Sequence, residues 1–292
     1  MRSFCFILAK YTCLGVAYWH CFTLVAYGIL EKCMSQPIVL IDSGVGGLTV
    51  LKSIVQRLPN QKYIYIADNA YFPYGTKTFE QLRCRLQQLA CFVKTLNPKA
   101  VVIACNTASV HCDVFQSSLQ CPVVDVITPT CAKALTSTQN KKVCLLATDA
   151  TICSQRYQQI LCGSGVQVIG VPCSDFVPIV ELGQLDTAQA IVVVQNKLQP
   201  FVQYDFDTVI LGCTHFGLLR KQISQVLGVR KYVECGDATA SLLEGVLQDD
   251  YSSSGDIKLL TTGHPTSLTN VSIWLNLDVT QVVTIQLPIA SI

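Results

Sequence analysis

The chain has 292 residues, half of them hydrophobic and only 14% charged, and its formal net charge is +2. This composition excludes a disordered chain, which requires low hydrophobicity and high charge. It also provides no basic surplus for contacting phosphates, which argues against nucleic acid as a primary partner. The length is sufficient for one large domain or two of ordinary size with a substantial core.

The first 33 residues differ from the rest of the chain. Residues 11–30 contain no Asp, Glu, Lys or Arg, and a stretch of this length can span a bilayer. We consider three interpretations of this segment: a membrane anchor, a cleaved leader, or an extension upstream of the true translation start at Met34. We favour the third, because Met34 comes shortly before the first well-patterned strand, at 38–41.

After Ser35, short β-branched apolar runs alternate with helical patterns. The runs predict buried parallel strands, at 38–41, 62–66, 100–104, 122–126, 142–147, 166–171 and 207–211. The segments between them predict helices, at 48–57, 78–96, 106–119, 151–162, 186–203 and 216–227. This alternation is typical of α/β proteins in which helices flank mostly parallel sheets.

The predicted strands also repeat. The segment 101–107 resembles 209–215, with Cys105 and Cys213 at the same place and 108 positions apart. Segments 39–43 and 144–149 match at a similar offset, as do the strands that end near 67 and 172. We therefore predict two similar α/β domains with the active site in the cleft between them. Their expected extents are 34–128 plus 238–292 for the first and 129–237 for the second.

Sixteen cysteines are spread over the whole length without a C-x-x-C pair, and several lie within apolar runs. Disulfide-rich domains are short and poor in core, so we interpret most of these cysteines as small buried hydrophobic residues in a reducing compartment. Cys105 and Cys213 differ, because each ends an apolar strand and precedes polar residues that open a helix. A helix N-terminus stabilises a thiolate and also binds carboxylates, which predicts two reactive thiols on opposite sides of one cleft.

Ligands of parallel sheets bind beyond the carboxyl ends of the strands. The polar residues and glycines at these ends are Asp42, Ser43, Gly44, Gly46, Gly47, Asp68, Asn69, 73–75, 105–107 and 213–215. His215, two positions after the second cysteine, is predicted to act beside it. His111 and His264 lack such a context and are interpreted as structural.

Motifs for other chemistries are missing from the sequence. There is no P-loop, the glycines at 44–47 do not fit G-x-G-x-x-G, and neither H-E-x-x-H nor zinc-type spacing of Cys and His occurs. The sequence therefore predicts neither a nicotinamide or flavin cofactor nor a metal site.

Four segments carry a resemblance to a known family. Residues 41–50, 72–77, 104–109 and 212–215 are similar, in this order, to the signatures of bacterial glutamate racemases. The resemblance extends from about 38 to 263, and the histidine after the second cysteine favours glutamate over aspartate racemases. One departure is Phe216-Gly217, where the family usually has Tyr-Pro; the hydrophobic front segment is another.

This resemblance implies a cofactor-independent racemase of the cytoplasm that interconverts L- and D-glutamate and supplies D-glutamate for peptidoglycan. It implies that Cys105 serves the D-enantiomer and Cys213 the L-enantiomer, that Asp42 and His215 assist them, and that Glu181 matches a further acid. The implied substrate-binding positions are Asp42, Ser43, Pro73, Tyr74, Gly75, Asn106, Thr107, Thr214 and His215. Two alternative functions stay open, namely an aspartate racemase of the same fold and a two-lobed amino-acid-binding protein without turnover. Assembly as a homodimer also stays open.

Overall fold

The computed structural model describes residues 36–247 and 255–287. The chain divides into Met1–Gln36 and a compact unit, Pro37–Ile292, and the description below concerns the second. The segment 11–30, with its three interpretations, lies outside the described residues. Within the described ranges, no helix is both long and apolar enough to cross a bilayer.

Ten strands form the framework of the described chain. In chain order they are β1 (Ile38–Asp42), β2 (Tyr63–Ala67), β3 (Ala100–Ile103), β4 (Val123–Asp125), β5 (Lys142–Ala147), β6 (Gln167–Pro172), β7 (Thr208–Gly212), β8 (Lys231–Glu234), β9 (Ile257–Thr261) and β10 (Val279–Thr284). Six of them form one sheet in the order β10-β9-β2-β1-β3-β4, and four form a second in the order β6-β5-β7-β8. Every pairing between these described strands is parallel.

Helices flank both sheets. They are α1 (Leu48–Arg57), α2 (Phe79–Thr95), α3 (Asn106–Ser109), α4 (Cys112–Ser118), α5 (Ile127–Ser137), α6 (Asp149–Cys153), α7 (Arg156–Cys162), α8 (Phe176–Glu181), α9 (Ala188–Leu198), α10 (Arg220–Leu227), α11 (Cys235–Leu247) and α12 (Thr266–Trp274). Because the sheets are covered on both faces, alternate residues of β1 enter different cores. Ile38 and Leu40 pack in one, and Val39 and Ile41 pack in the other.

The sheet orders confirm the predicted fold class. The run β2-β1-β3-β4 in the first sheet has the same connectivity as β6-β5-β7-β8 in the second. All seven predicted strands are present within a residue or two of their expected bounds. Two similar α/β units with parallel sheets therefore make up the described chain, as the internal repeat predicts.

Several predicted helices are shorter or broken. The predicted helix 106–119 is interrupted between α3 and α4, and 151–162 is interrupted between α6 and α7, where Gln155 has a φ of 57°. The segment 128–130, predicted as the boundary between domains, lies inside α5. Asp125 accepts hydrogen bonds from the backbone and hydroxyl of Thr128 there, and Pro129 is tolerated because the first helical turn needs no N–H donor.

The C-terminal part of the chain joins the first sheet. β9 pairs with β2, β10 pairs with β9, and α11 packs against α1. The sequence patterns did not identify β8, β9 or β10 as strands. The exact extents of the two domains stay a prediction.

The prediction that most cysteines are buried is wrong for some of those in the described residues. Twelve cysteines lie in the described residues, and all twelve are free thiols. Six are buried, including Cys144 in β5, but Cys84, Cys91, Cys153 and Cys162 are exposed. The exposed four lie in or beside helices, whose outer faces the apolar pattern did not distinguish from the inner ones.

Asp68, directly after β2, is a fully buried carboxylate with four donors. Arg85 of α2 donates to its two oxygens at 2.9 and 2.6 Å, and the hydroxyls of Tyr74 and Thr262 donate at 2.7 Å each. The network ties α2, the loop after β2 and the loop after β9 to one charge. A buried charge of this kind is tolerated only when its partners are complete.

We expect Arg85→Met to lower the free energy of unfolding by about 3 kcal/mol, because it leaves the buried Asp68 without its counter-charge. Urea denaturation followed by circular dichroism measures the change. Arg83→Met is the matched control on the same helix, since Arg83 pairs with Asp113 at 2.6 Å on the exposed surface and is expected to matter little. Equal losses of unfolding free energy in the two variants would contradict the role of Arg85 as the counter-charge of Asp68.

Candidate active site

A cavity of about 180 Å³ lies between the carboxyl ends of the two sheets. Its walls come from segments that directly follow strands of either sheet. The lining residues are Ser43, Phe72, Pro73, Tyr74, Gly75, Thr76, Cys105, Asn106, Thr107, Thr148, Ser174, Val177, Pro178, Cys213, Thr214 and His215. The cavity thus occupies the position expected for a ligand of a parallel α/β sheet.

Cys105 and Cys213 both line this cavity, from different sheets. Cys105 follows β3 and Cys213 follows β7, the two strands that correspond in the repeat. Each side chain is buried but not sealed, with 6% and 7% of its surface exposed. The repeat therefore brings two thiols from equivalent positions to one enclosed space.

Asp42 is the fully buried last residue of β1. Its Oδ1 accepts a hydrogen bond from the backbone N–H of Gly44 at 2.9 Å, and its Oδ2 accepts one from the Thr214 hydroxyl at 3.2 Å. Burial raises the pKa of this carboxyl to about 6, and its attraction to the charge of His215 and the hydrogen bond from the Gly44 N–H only partly oppose the effect. Asp42 is thus a carboxyl poised near neutrality that links the first sheet to Thr214 of the second.

The glycines after Asp42 allow two segments of the chain to approach closely. A Cβ on Gly46 would lie 2.5 Å from the Thr214 hydroxyl oxygen and 2.6 Å from Nδ1 of His215. A Cβ on Gly47 would lie 2.6 Å from the Cβ of Asp42. Gly46 is therefore required by contact with the segment after β7 and Gly47 by its closeness to Asp42, rather than by positive φ angles.

His215 connects Cys213 to Glu181. Its Nδ1 is 3.7 Å from the Cys213 sulfur, and its Nε2 is 2.7 Å from Oε1 of Glu181. The backbone N–H of Val45 donates to the same carboxylate oxygen at 3.1 Å. Glu181 closes α8, so this chain of contacts joins α8, the end of β7 and the glycine loop.

The pKa values of His215 and Glu181 shift in the directions that favour a charged pair of these two side chains. Burial by itself lowers the pKa of His215, but its hydrogen bonds with Cys213 and Glu181 raise it well above the usual value. Burial raises the pKa of Glu181, and the hydrogen bonds from His215 and Val45 outweigh it, so the net direction is downward. A histidine held in this way can exchange a proton with the sulfur of Cys213 through its Nδ1.

Cys105 has a different environment. Its sulfur is 3.9 Å from the Ser43 hydroxyl. Burial raises the pKa of the thiol to about 12, and repulsion from Asp42 adds to the effect. The expected lowering by a helix N-terminus is wrong here, because α3 has only four residues and its contribution is smaller than the cost of burying the charge.

The two residues after Cys105 form hydrogen bonds with residues that flank the second sheet. The Tyr157 hydroxyl donates to Oδ1 of Asn106 at 2.7 Å. The Thr107 hydroxyl is 3.1 Å from that of Thr148 and 3.3 Å from that of Thr151. Both residues line the cavity, so their side chains join its wall to α6 and α7.

The other predicted binding residues also lie at the cavity. Pro73, Tyr74 and Gly75 line it from the loop after β2, although the Tyr74 hydroxyl is engaged by Asp68. Ser43 and Thr214 line it as well, whereas Asp42 and Glu181 contact the lining residues from behind. All residues assigned from the sequence are therefore brought to one place, while their roles stay predictions.

Sequence reasoning missed part of the wall, namely Phe72, Thr76, Thr148, Ser174, Val177 and Pro178. The repeat contains a signal for Thr148, since it directly follows β5 as Ser43 follows β1, the corresponding strand. Val177 and Pro178 belong to α8, for which no helix was predicted. An apolar run of this kind carries no sign of whether it faces a core or a cavity.

The departure from the family pattern at 216–217 lies beside this wall. Phe216 is fully buried and packs edge-on against Phe176, with ring centroids 5.4 Å apart. A Cβ on Gly217 would lie 3.1 Å from a carboxylate oxygen of Glu234. Together they begin the short 3-10 turn Phe216–Leu219 before α10, and His215 keeps its contacts with Cys213 and Glu181.

The remaining candidates lie elsewhere. His111 is buried against Phe79, with ring centroids 4.4 Å apart, and burial lowers its pKa. His264 contacts the hydroxyl of Thr266. Among residues 36–247 and 255–287, no group of three His, Cys, Asp or Glu side chains is arranged to hold a metal ion.

Comparisons with known proteins agree on one family. The family model described as Asp/Glu/Hydantoin racemase matches residues 38–243. Glutamate racemase of Staphylococcus aureus (strain JH9) is 38% identical over 257 residues, covering 84% of this chain and 97% of that protein.

Solved structures give the same result. Glutamate racemase isoform RacE1 from Bacillus anthracis is similar with a TM-score of 0.81 and 32% identity, covering 88% of this chain and 99% of that one. Glutamate racemase from Francisella tularensis in complex with D-glutamate has a TM-score of 0.79 and 28% identity, covering 86% and 98%.

The close approach at Gly46 leads to a stability prediction. Gly46→Ala should lower the free energy of unfolding by about 1–3 kcal/mol, because the added methyl group overlaps Thr214 and His215. Gly245→Ala is the control, since it lies within α11 with nothing within 4 Å of its Cβ position, and it should raise stability by up to about 1 kcal/mol. Chemical denaturation of both variants measures the sign of each change in the free energy of unfolding. An unchanged free energy for Gly46→Ala would contradict the packing argument.

The raised pKa of Asp42 leads to a pH prediction. Because the folded protein binds a proton at Asp42 up to about pH 6 while the unfolded chain loses it near pH 4, this group makes stability fall as the pH rises through that interval. Asp42→Asn has no such proton to lose, so from pH 4 to 7 it should gain ~3 kcal/mol relative to the unsubstituted protein. Parallel curves of unfolding free energy against pH would refute this.

Proposed function

The chain belongs to the Asp/Glu/Hydantoin racemase family and is an isomerase, and we propose that it interconverts L- and D-glutamate with Cys105 and Cys213 as its two acid/base groups. One observation carries the proposal: two cysteines at equivalent positions of a repeated α/β unit line the same enclosed cavity. The glutamate racemases that the chain resembles include a structure in complex with D-glutamate, which supports this substrate.

The reaction itself explains why two thiols are needed. Inversion at the α-carbon requires removal of a proton from one face and delivery of another to the opposite face. A single base would have to cross the substrate between these steps, whereas two bases on opposite walls require only short proton transfers. Thiols suit this role, because their ordinary pKa lies nearer to neutrality than that of a serine hydroxyl or a lysine ammonium group.

Cys105 is proposed to act on the proton of the D-enantiomer. At neutral pH its environment favours the protonated thiol, since both burial and Asp42 disfavour the thiolate. A substrate ammonium group close to the sulfur and to Asp42 would stabilise both anions and lower the pKa of both. The substrate thus helps to generate the base that attacks it, and a protonated Cys105 is ready as the acid for the reverse direction.

Cys213 is proposed to act on the proton of the L-enantiomer, assisted by His215. The imidazole is 3.7 Å from the sulfur, and Glu181 holds its other nitrogen at 2.7 Å. The charged His215–Glu181 pair can exchange a proton with the thiol and compensate its negative charge. The two thiols therefore have different partners, a carboxyl for Cys105 and a charged histidine for Cys213.

The α-carbon of an amino acid is a weak acid, and the carbanion-like state must be stabilised by the protein. Preorganised donors in an enclosed site are the most effective means, because they need no reorganisation as charge develops. Ser43, Asn106, Thr107 and Thr214 line the cavity and offer hydroxyl, amide and backbone donors for the substrate carboxylates. Pro73, Tyr74 and Gly75 are proposed to complete the binding wall.

We further propose that the D-glutamate formed here supplies peptidoglycan synthesis in the cytoplasm, where a reducing environment keeps both thiols free. An aspartate racemase of the same fold is the second candidate within the family. The comparisons favour glutamate, since the relatives that are 38%, 32% and 28% identical are glutamate racemases. Chiral analysis after incubation with L-glutamate and, separately, with L-aspartate tests the choice between these two substrates directly.

The isotope content of the product tests the two-base mechanism. With L-glutamate in deuterated water, Cys213 removes protium and Cys105, already deuterated, delivers deuterium to the other face. Early D-glutamate should therefore carry deuterium at the α-carbon while the remaining L-glutamate stays mostly protiated, as measured by chiral chromatography and mass spectrometry. A single shuttling base would return protium to the product.

Cys105→Ala and Cys213→Ala should each abolish racemisation, because one face then has no proton donor. Cys144→Ala is the matched control, since Cys144 is also a fully buried thiol, but it lies within β5 and contributes to a hydrophobic core. It should keep the wild-type rate per folded molecule at a cost of roughly 1 kcal/mol in stability. Near-normal turnover by either folded active-site variant would refute the assignment.

A further inference from the structure

Asn106 is held by two residues that the proposed mechanism does not use. It follows Cys105 directly and begins α3, which has only four residues. The hydroxyl of Tyr157, in α7, donates to its Oδ1 at 2.7 Å. The sulfur of Cys235, the first residue of α11, is 3.5 Å from its Nδ2 and 3.7 Å from its Oδ1.

Both partners are themselves fixed by burial. Tyr157 has no exposed surface and packs in the core on one face of the second sheet. Cys235 is 4% exposed, and its thiol lies 3.4 Å from the carbonyl oxygen of Leu211 in β7. The amide of Asn106 is thus anchored to the second unit, although its backbone continues from β3 of the first sheet.

We propose that Tyr157 is a positioning residue that acts through Asn106 to set the binding geometry beside Cys105. The inference rests on the proposed function, in which Asn106 contacts the substrate. The hydroxyl of Tyr157 fixes the direction of the Asn106 amide and, with it, the start of α3.

The chemistry of the carboxamide explains why a positioning residue is needed. An asparagine has a donor end and an acceptor end, and its terminal torsion is broad, so without partners it samples several orientations. A four-residue helix supplies little rigidity of its own, because nucleating a helix is unfavourable. One strong hydrogen bond from a rigid, buried tyrosine removes this freedom before the substrate arrives.

The position of Asn106 predicts which kinetic constant responds. Asn106 belongs to the binding wall and transfers no proton, so disorder in its side chain weakens binding of substrate and transition state alike. Loss of such uniform binding raises KM and leaves kcat unchanged. A hydrogen bond worth about 1 kcal/mol corresponds to roughly a fivefold rise in KM.

The matched pair Tyr157→Phe and Tyr63→Phe tests the inference in the full chain with L- and D-glutamate. Both tyrosines are buried and each donates one hydroxyl hydrogen bond, with Tyr63 donating to the Leu58 carbonyl at 2.5 Å, away from the cavity lining. We expect about a fivefold rise in KM with nearly unchanged kcat for Tyr157→Phe, and unchanged constants for Tyr63→Phe. A similar KM rise in both, or none in Tyr157→Phe, would overturn the inference.

A double substitution shows whether Tyr157 acts through Asn106. In the Asn106→Ala background, Tyr157→Phe should cause no further rise in KM, because the group that it orients is missing. A fivefold rise in that background as well would overturn the inference. Cys235→Ala removes the second partner of the amide, and it should also raise KM selectively, by a smaller factor because the contact to sulfur is weaker.

The outcome for the unsubstituted protein separates the two proposals. If it fails to racemise glutamate, the proposed function is wrong, whatever the variants do. If it racemises glutamate and Tyr157→Phe leaves KM unchanged in a cooperatively melting protein, only the positioning role is wrong. Binding of D-glutamate by calorimetry in the Cys213→Ala background, which is expected not to racemise it, gives a second readout, in which Tyr157→Phe should weaken affinity by the same factor as it raises KM.

Discussion

The close contact between the loop 43–47 and the segment after β7 is the constraint on which the rest of the site depends. The hydroxyl of Thr214 reaches Asp42 in this contact, and Glu181 reaches both His215 and the backbone of Val45. A side chain at Gly46 would separate the two segments. The segments that follow the first and second sheets are therefore joined beside the cavity that both cysteines line.

A repeated fold gives the protein two thiols, but the surroundings make them chemically different. β3 and β7 correspond in the repeat, and each delivers a cysteine to the cavity. Asp42 disfavours the thiolate of Cys105, whereas His215 lies beside Cys213 and its hydrogen bonds with Cys213 and Glu181 raise its pKa well above the usual value. The two sheets share the strand order of the repeat, and the asymmetry comes from side chains of β1, of the segment after β7 and of α8.

Much of the fold could be predicted because parallel strands and their helices have strong local patterns. β1, β3, β5 and β7 are buried on both faces and read as continuous apolar runs. The motifs at 41–50, 104–109 and 212–215 indicated the family, which the family match over 38–243 confirms. The patterns failed where local signals are ambiguous. The predicted helices 106–119 and 151–162 are each interrupted, and Cys162 of α7 is exposed although its type favours burial.

The sequence by itself determined the alternation of strands and helices, the internal repeat and the position of both cysteines at strand ends, because these features depend on local periodicity and spacing. The tertiary structure decided which distant groups surround them: Glu181 against His215, Asp42 against Thr214, and Tyr157 against Asn106. It also decided the raised pKa of Cys105, since burial and the distance to another charge depend on the packing of the whole chain. A thiol, a carboxyl or an imidazole can be read from the sequence, but its protonation depends on neighbours that only folding brings together.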